Sequence, residues 1–188
     1  MNRKLLTRRQ AFTLIELLVV ISIVALLTSF SAAAFSTFNR RQRLDQAEKT
    51  LDSVIRDAQT RALSSVGGLN WGVRLTQGDR KVDLFSTVSN FNSAAEVLDR
   101  SIESGIVISD LTILDVDHVS IIFSVVDGSV IFTADNGTCL GGSADSSCSA
   151  DPDRCLAVGV NLQGTADKRY LKVNERNIFE SGALTPCP

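Results

Sequence analysis

"RRQAFTLIELLVVISIVALL", Arg8 to Leu27, places one carboxylate, Glu16, just inside the edge of an apolar run. Desolvating an unpaired carboxylate costs several kcal/mol unless it neutralises or finds a partner, so this acid asks for one. From Leu17 to Asn39 no charged residue occurs, which meets the roughly 20 residues a helix needs to cross about 30 Å of hydrocarbon. Arg3, Lys4, Arg8 and Arg9 precede the run with no acid among them. That bias holds the N-terminus on the cytoplasmic side and sends the remainder across the membrane. A cleaved secretory signal fits less well, because the run is long and the residues after "SAAAFS" (Ser31–Ser36) continue a helical pattern.

At 188 residues and 44% apolar composition, the chain has material for one exported domain beyond the apolar run. Its formal charge is −2, and removal of residues 1–11 takes four basic residues away, leaving −6. An acidic exported domain is a poor general binder of polyanions.

The stretch "AFTLIELLVVISIVALL" (Ala11–Leu27) resembles the class III signal and N-terminal helix of type IV pilins and type II secretion pseudopilins. A basic leader, a small residue, Phe12, the "TLIELLVVI" core and Glu16 as the fifth residue after the cut carry the resemblance. It implies cleavage between Ala11 and Phe12 by a prepilin peptidase, N-methylation of Phe12, and polymerisation through the helix into a type IV pilus or type II secretion pseudopilus. Most members have Gly where this chain has Ala11. The resemblance further implies that Glu16 faces the Phe12 amine of a neighbouring subunit, with Thr13 as a polar helper. The implied partners are other pilin or pseudopilin subunits, the prepilin peptidase/methylase and the inner membrane. The implied location is a single-pass inner-membrane protein, then an extracellular or periplasmic filament. The chain divides into a leader (1–11), a transmembrane and assembly helix (12–38), an amphipathic helical half (39–66) and an exported β-rich domain (67–188).

Asn39–Ser65 contains neither Gly nor Pro, and Leu44, Ala47, Leu51, Val54, Ile55, Ala58, Ala62 and Leu63 recur at three- and four-residue spacing. This predicts an amphipathic helix continuous with the apolar run, about 50 residues and about 75 Å long, ended by Gly67-Gly68. Many pilins carry a proline where this chain has Ala33, so that cause of helix loosening is absent. The spacing of Leu51, Ile55, Arg56, Ala58, Arg61 and Ala62 resembles the GspH/FimT-type minor branch.

Strands are predicted at Trp71–Thr76, Val82–Thr87, Ile106–Ile108, Val119–Val126, Ser129–Ala134, Cys155–Leu162 and Tyr170–Val173. Turns are predicted at Gln77–Lys81, Asp127-Gly128 and Gly164–Lys168, and a short helix at Ala94–Asp99. The fold class expected is α+β and pilin-like, one long N-terminal helix packed on an antiparallel β-sheet domain.

Cys139, Cys148, Cys155 and Cys187 all follow the apolar run, and in an exported protein an even set favours two disulfides. Were Ser129–Ala134 and Cys155–Leu162 sheet neighbours, Cys139–Cys155 and Cys148–Cys187 would be preferred slightly over the other two pairings. The spacing lacks a close CxxC pair for zinc.

His118 is the only histidine, and neither a nucleophile–base pair nor a metal cluster can be assembled around it by spacing. No catalytic residue, metal site or cofactor is expected, and the chain reads as structural rather than as an enzyme. "DNGT" (Asp135–Thr138) and "DPD" (Asp151–Asp153) read as turns rather than calcium loops, lacking EF-hand spacing. The alternative function is a DNA-binding minor pilin for DNA uptake, using Lys168, Arg169, Lys172 and Arg176. Against it, five bases face six acids from Thr138 onward.

Overall fold

The computed structural model describes residues 12–111, 116–126, 128–134, 138–140, 155–174 and 179–183, with the backbone alone at 30–34 and 179–183. Among the described residues, one α-helix, α1 (Leu14–Leu63), leads into nine strands. The chain divides into two compact units, Met1–Arg40 and Arg41–Pro188, and α1 contributes to both.

Helix α1 begins where the sequence supplies a capping residue. Thr13 Oγ1 accepts the backbone N–H of Glu16 at 3.3 Å, and Thr13 O accepts the N–H of Leu17 at 3.2 Å. Thr13 is therefore the N-cap, and Glu16 sits three residues on, in the T-x-x-E arrangement that satisfies orphan amides of the first turn. No glycine or proline interrupts the next 50 residues. The helix ends at Leu63, before the glycine pair expected to stop it. Ser65 takes the left-handed conformation at φ 51°, and its N–H donates to Ala62 O at 2.9 Å. Val66–Gly68 then forms a single 3₁₀ turn.

The second unit is α+β. A five-stranded antiparallel sheet has the order β3-β2-β1-β5-β6, built from β1 (Asn70–Thr76), β2 (Lys81–Thr87), β3 (Ala94–Ser101), β5 (His118–Phe123) and β6 (Val130–Thr133). A four-stranded antiparallel sheet has the order β4-β7-β8-β9, from β4 (Ile106–Leu111), β7 (Cys155–Leu162), β8 (Lys168–Asn174) and β9 (Phe179–Ala183). Leu44, Ala47, Leu51, Val54, Ile55, Ala58 and Ala62 of α1 are buried in one core with residues of both sheets. Leu63, counted in the same stripe from its spacing, is exposed. Trp71 of β1 anchors the end of the helix: its Nε1–H donates to Val66 O at 2.9 Å, and the Arg61 guanidinium lies 4.8 Å from its ring centre.

All three expected turns join paired strands, and each contains a glycine at positive φ: Gly78 between β1 and β2, Gly128 between β5 and β6, Gly164 between β7 and β8. The helix expected at Ala94–Asp99 is instead β3. Its residues pair with β2 from Lys81↔Ser101 to Thr87↔Ala94, and most of its side chains are exposed. The ladder to β2 supplies the hydrogen bonds that a six-residue isolated helix, lacking a buried face, could not sustain.

A period of two places separate clusters on the outer faces of the sheets. Gly72 lies opposite Phe85 on one side and Ile122 on the other. A Cβ at Gly72 would meet Phe85 Cζ and the Ile121 carbonyl oxygen at 2.7 Å each, so the missing side chain makes room for the Phe85 ring. Phe91 packs edge-on against that ring at 5.1 Å, and the Arg74 guanidinium covers Phe91 at 4.6 Å.

Candidate functional site

The first unit carries the residues singled out at the N-terminus. Phe12 is 77% exposed, and Leu14, Ile15, Leu17, Leu18, Val19, Val20, Ile21, Ile23 and Val24 are exposed on every side of the helix. A helix that is apolar all round belongs in a bundle or in lipid rather than in water. Ser22, Thr28 and Ser29 return their hydroxyls to helix carbonyls three or four residues back, at 2.8–3.0 Å, so these polar side chains do not interrupt the apolar surface. Among the described residues no helix is long and apolar enough to cross a membrane. Side chains 30–34, in the middle of the uncharged run, lie outside that description, and the span rests on the sequence alone.

Glu16 is exposed and has no ion-pair partner among the described residues. Its backbone is tied to Thr13 while its carboxylate stays available. The structure gives Thr13 a role that spacing alone had not shown, the helix cap. Ala11, the other half of the expected cleavage site, lies outside the described residues.

The four cysteines are seen in part. Cys139 and Cys155 are both disulfide-bonded, whereas Cys148 and Cys187 lie outside the described residues. The geometric premise for joining Cys139 to Cys155 does not hold, since β6 and β7 belong to different sheets. The backbone of Cys139 forms an isolated antiparallel bridge with Thr133 at the end of β6.

On the outer face of the four-stranded sheet, Asp110, Gly159 and Tyr170 stand side by side on β4, β7 and β8. One oxygen of Asp110 accepts from Lys168 Nζ at 2.7 Å, Ser109 Oγ at 3.2 Å and Tyr170 OH at 3.3 Å. Burial pushes the Asp110 carboxyl up, but the hydrogen bonds and charge of Lys168, with Ser109 and Tyr170, outweigh it and hold the group below the ordinary carboxylate range. On the other sheet, burial and then the facing Asp99 push Asp83 up, against the opposing pull of Arg74. Both clusters are charge networks bridging adjacent strands.

The basic residues of the DNA-binding alternative are partly matched. Lys168 pairs with Asp110, and Arg169 pairs with Asp45 of α1 at 3.0 Å. Lys172 faces Ala157 and Glu180 across its strand neighbours, and Arg176 lies outside the described residues. Among the described residues no group of three or more His, Cys, Asp or Glu side chains is arranged to hold a metal ion.

The family model of the prokaryotic N-terminal methylation motif matches residues 6–32. This motif is the signature of type IV pilins and pseudopilins, and here it covers the N-terminal stretch and the first part of α1, not the globular unit. No curated protein and no solved structure matches the chain significantly. The motif supports a pilin-like subunit, and the helix packed on antiparallel sheets is consistent with an α+β pilin-like fold. The motif implies membrane anchoring followed by an extracellular filament, and assembly with other pilin subunits after processing by a prepilin peptidase.

Proposed function

We propose that this protein is a structural subunit, a minor pilin or pseudopilin, of a type IV pilus or type II secretion pseudopilus. The observation that carries the reading is the methylation motif heading a helix whose apolar side chains are exposed all round, joined to a folded α+β unit. Cleavage between Ala11 and Phe12 frees an α-amino group at Phe12, which is then N-methylated. Residues 17–39 hold the subunit in the inner membrane, with the N-terminus cytoplasmic, until it is drawn into the filament. There Glu16 of one subunit faces the Phe12 amine of its neighbour, and two disulfides built from Cys139, Cys148, Cys155 and Cys187 order the exported C-terminal region.

Co-expression with a prepilin peptidase tests the reading. Intact mass should fall by the mass of residues 1–11, about 1.4 kDa, and the new terminus should be N-methyl-Phe12. Ala11→Leu should block cleavage, and Ala11→Gly should match or speed it. A chain still beginning at Met1 beside an active peptidase would overturn the assignment.

A further inference from the structure

The turn between β7 and β8 brings residues distant in sequence against the start of the buried half of α1. Arg41, Leu44, Asp167, Lys168, Arg169 and Tyr170 line an open groove there. Arg169 and Lys168 keep their pairs with Asp45 and Asp110, and Asp167 is the acid on the groove wall. Arg41 is exposed and has no ion-pair partner among the described residues. A planar guanidinium in that position is a bidentate donor without an acceptor, the arrangement that suits a phosphate.

Chain connectivity fixes where this groove begins. Arg41 follows the last uncharged residue, Asn39, by two positions within α1, a rise of about 3 Å at 1.5 Å per residue. With the uncharged run in a bilayer, Arg41 lies in the headgroup layer whatever the orientation of the globular unit. Arg40 and Arg41 are the first charges after the uncharged run, and Lys168 and Arg169 line the groove with Arg41.

We propose that this groove docks on anionic phospholipid headgroups of the leaflet facing the exported unit, with Arg41 holding the phosphate and Lys168 and Arg169 adding charge. Tyr170, an amphipathic ring with its hydroxyl already engaged, suits the same interfacial layer. The inference rests on the membrane-anchored reading above. A long polyanion is a poorer fit, because Asp45, Asp110 and Asp167 interrupt the basic surface while a single headgroup needs only the Arg41 end. Docking would tether the unit to the membrane before assembly and would be given up when the subunit leaves the bilayer.

The test reconstitutes the full chain in nanodiscs of phosphatidylcholine alone, or of phosphatidylcholine and phosphatidylglycerol in equal parts, and follows backbone amide exchange at residues 164–172. Exchange should be slower in the anionic discs, and the difference should vanish at high salt. Arg41→Gln should reduce it about fivefold, since a basic side chain near an anionic surface is worth about 1 kcal/mol. Equal exchange in both discs, with the chain co-eluting with each, refutes the headgroup proposal and leaves the membrane reading standing. A chain that does not co-elute with discs refutes both. Equivalent protection by inorganic phosphate in phosphatidylcholine discs assigns the groove to a soluble anion and overturns the lipid source.

Discussion

Replacing Glu16 with Gln separates two roles that a first-turn carboxylate can play. In the single chain Glu16 is exposed, unpaired among the described residues, and held at the third position after the Thr13 cap. If it serves only the helix, its charge acts on the N-terminal dipole, worth about 0.3–1 kcal/mol and at most about fivefold in any equilibrium. If it faces the Phe12 amine of a neighbouring subunit in a dry bundle, Gln leaves that ammonium buried without its partner. Breaking such a pair on one side costs about 3–5 kcal/mol, or roughly two to three and a half orders of magnitude at 1.4 kcal/mol per decade. The assay is competitive incorporation of wild-type and E16Q subunits into sheared filaments, quantified by mass spectrometry. Cleavage and Phe12 methylation are measured in the same cells, so that a processing defect is not mistaken for an assembly defect. A cleaved and methylated E16Q subunit incorporated within fivefold of wild type would refute the ion-pair reasoning. Thr13→Val, which removes the cap and keeps the charge, should cost about 1 kcal/mol and so fall on the weaker side of the same scale.

Lys168→Met should destabilise the globular unit by about 0.5–1 kcal/mol at neutral pH, a modest figure because both partners are about a third exposed. The folded state holds Asp110 below its unfolded range, so this contribution is present above the unfolded carboxylate value and is lost as pH falls through the folded one. Thermal unfolding of the two forms should therefore converge in acid, and a gap that persists there would contradict the assignment. Gly72→Ala places a Cβ 2.7 Å from both the Ile121 carbonyl and Phe85 Cζ. The backbone contact cannot be relieved by a rotamer change, so a loss of about 1–3 kcal/mol in denaturant unfolding is expected. Unchanged stability would show that β1 shifts freely. Under non-reducing conditions, thiol labelling of the unfolded chain should detect no free cysteine, and reduction should lower the midpoint of unfolding. Reactive thiols at Cys139 or Cys155 would be incompatible with their bonded state.

Local chemistry explains what the sequence made legible. Gly78, Gly128 and Gly164 mark hairpins because positive φ is a property of single residues, and the α1 stripe from Leu44 to Ala62 repeats at the pitch of its own helix. The Phe12, Thr13 and Glu16 constellation lies within five consecutive residues and is read as one motif. Strand β3 was hidden because its identity comes from β2: Ala94–Ser101 buries too few side chains to show an alternation, and only the pairing fixes it as extended. The groove was hidden for a related reason. Lys168 and Arg169 stood out as a local patch, but their meeting with Arg41 depends on where β8 packs relative to α1, which neither segment encodes alone.

Strand β3 also bears on how one copy of this domain meets another. It is an outer strand of the five-stranded sheet, and an unpaired strand edge is a template on which another copy could add a strand. Glu96, Asp99 and Arg100 are exposed along it, and Lys81 reaches across from β2 to Asp99 at 3.2 Å. An incoming strand would have to bring its own side chains against these charges. These charges disfavour extension of the sheet from β3 by another copy of the domain.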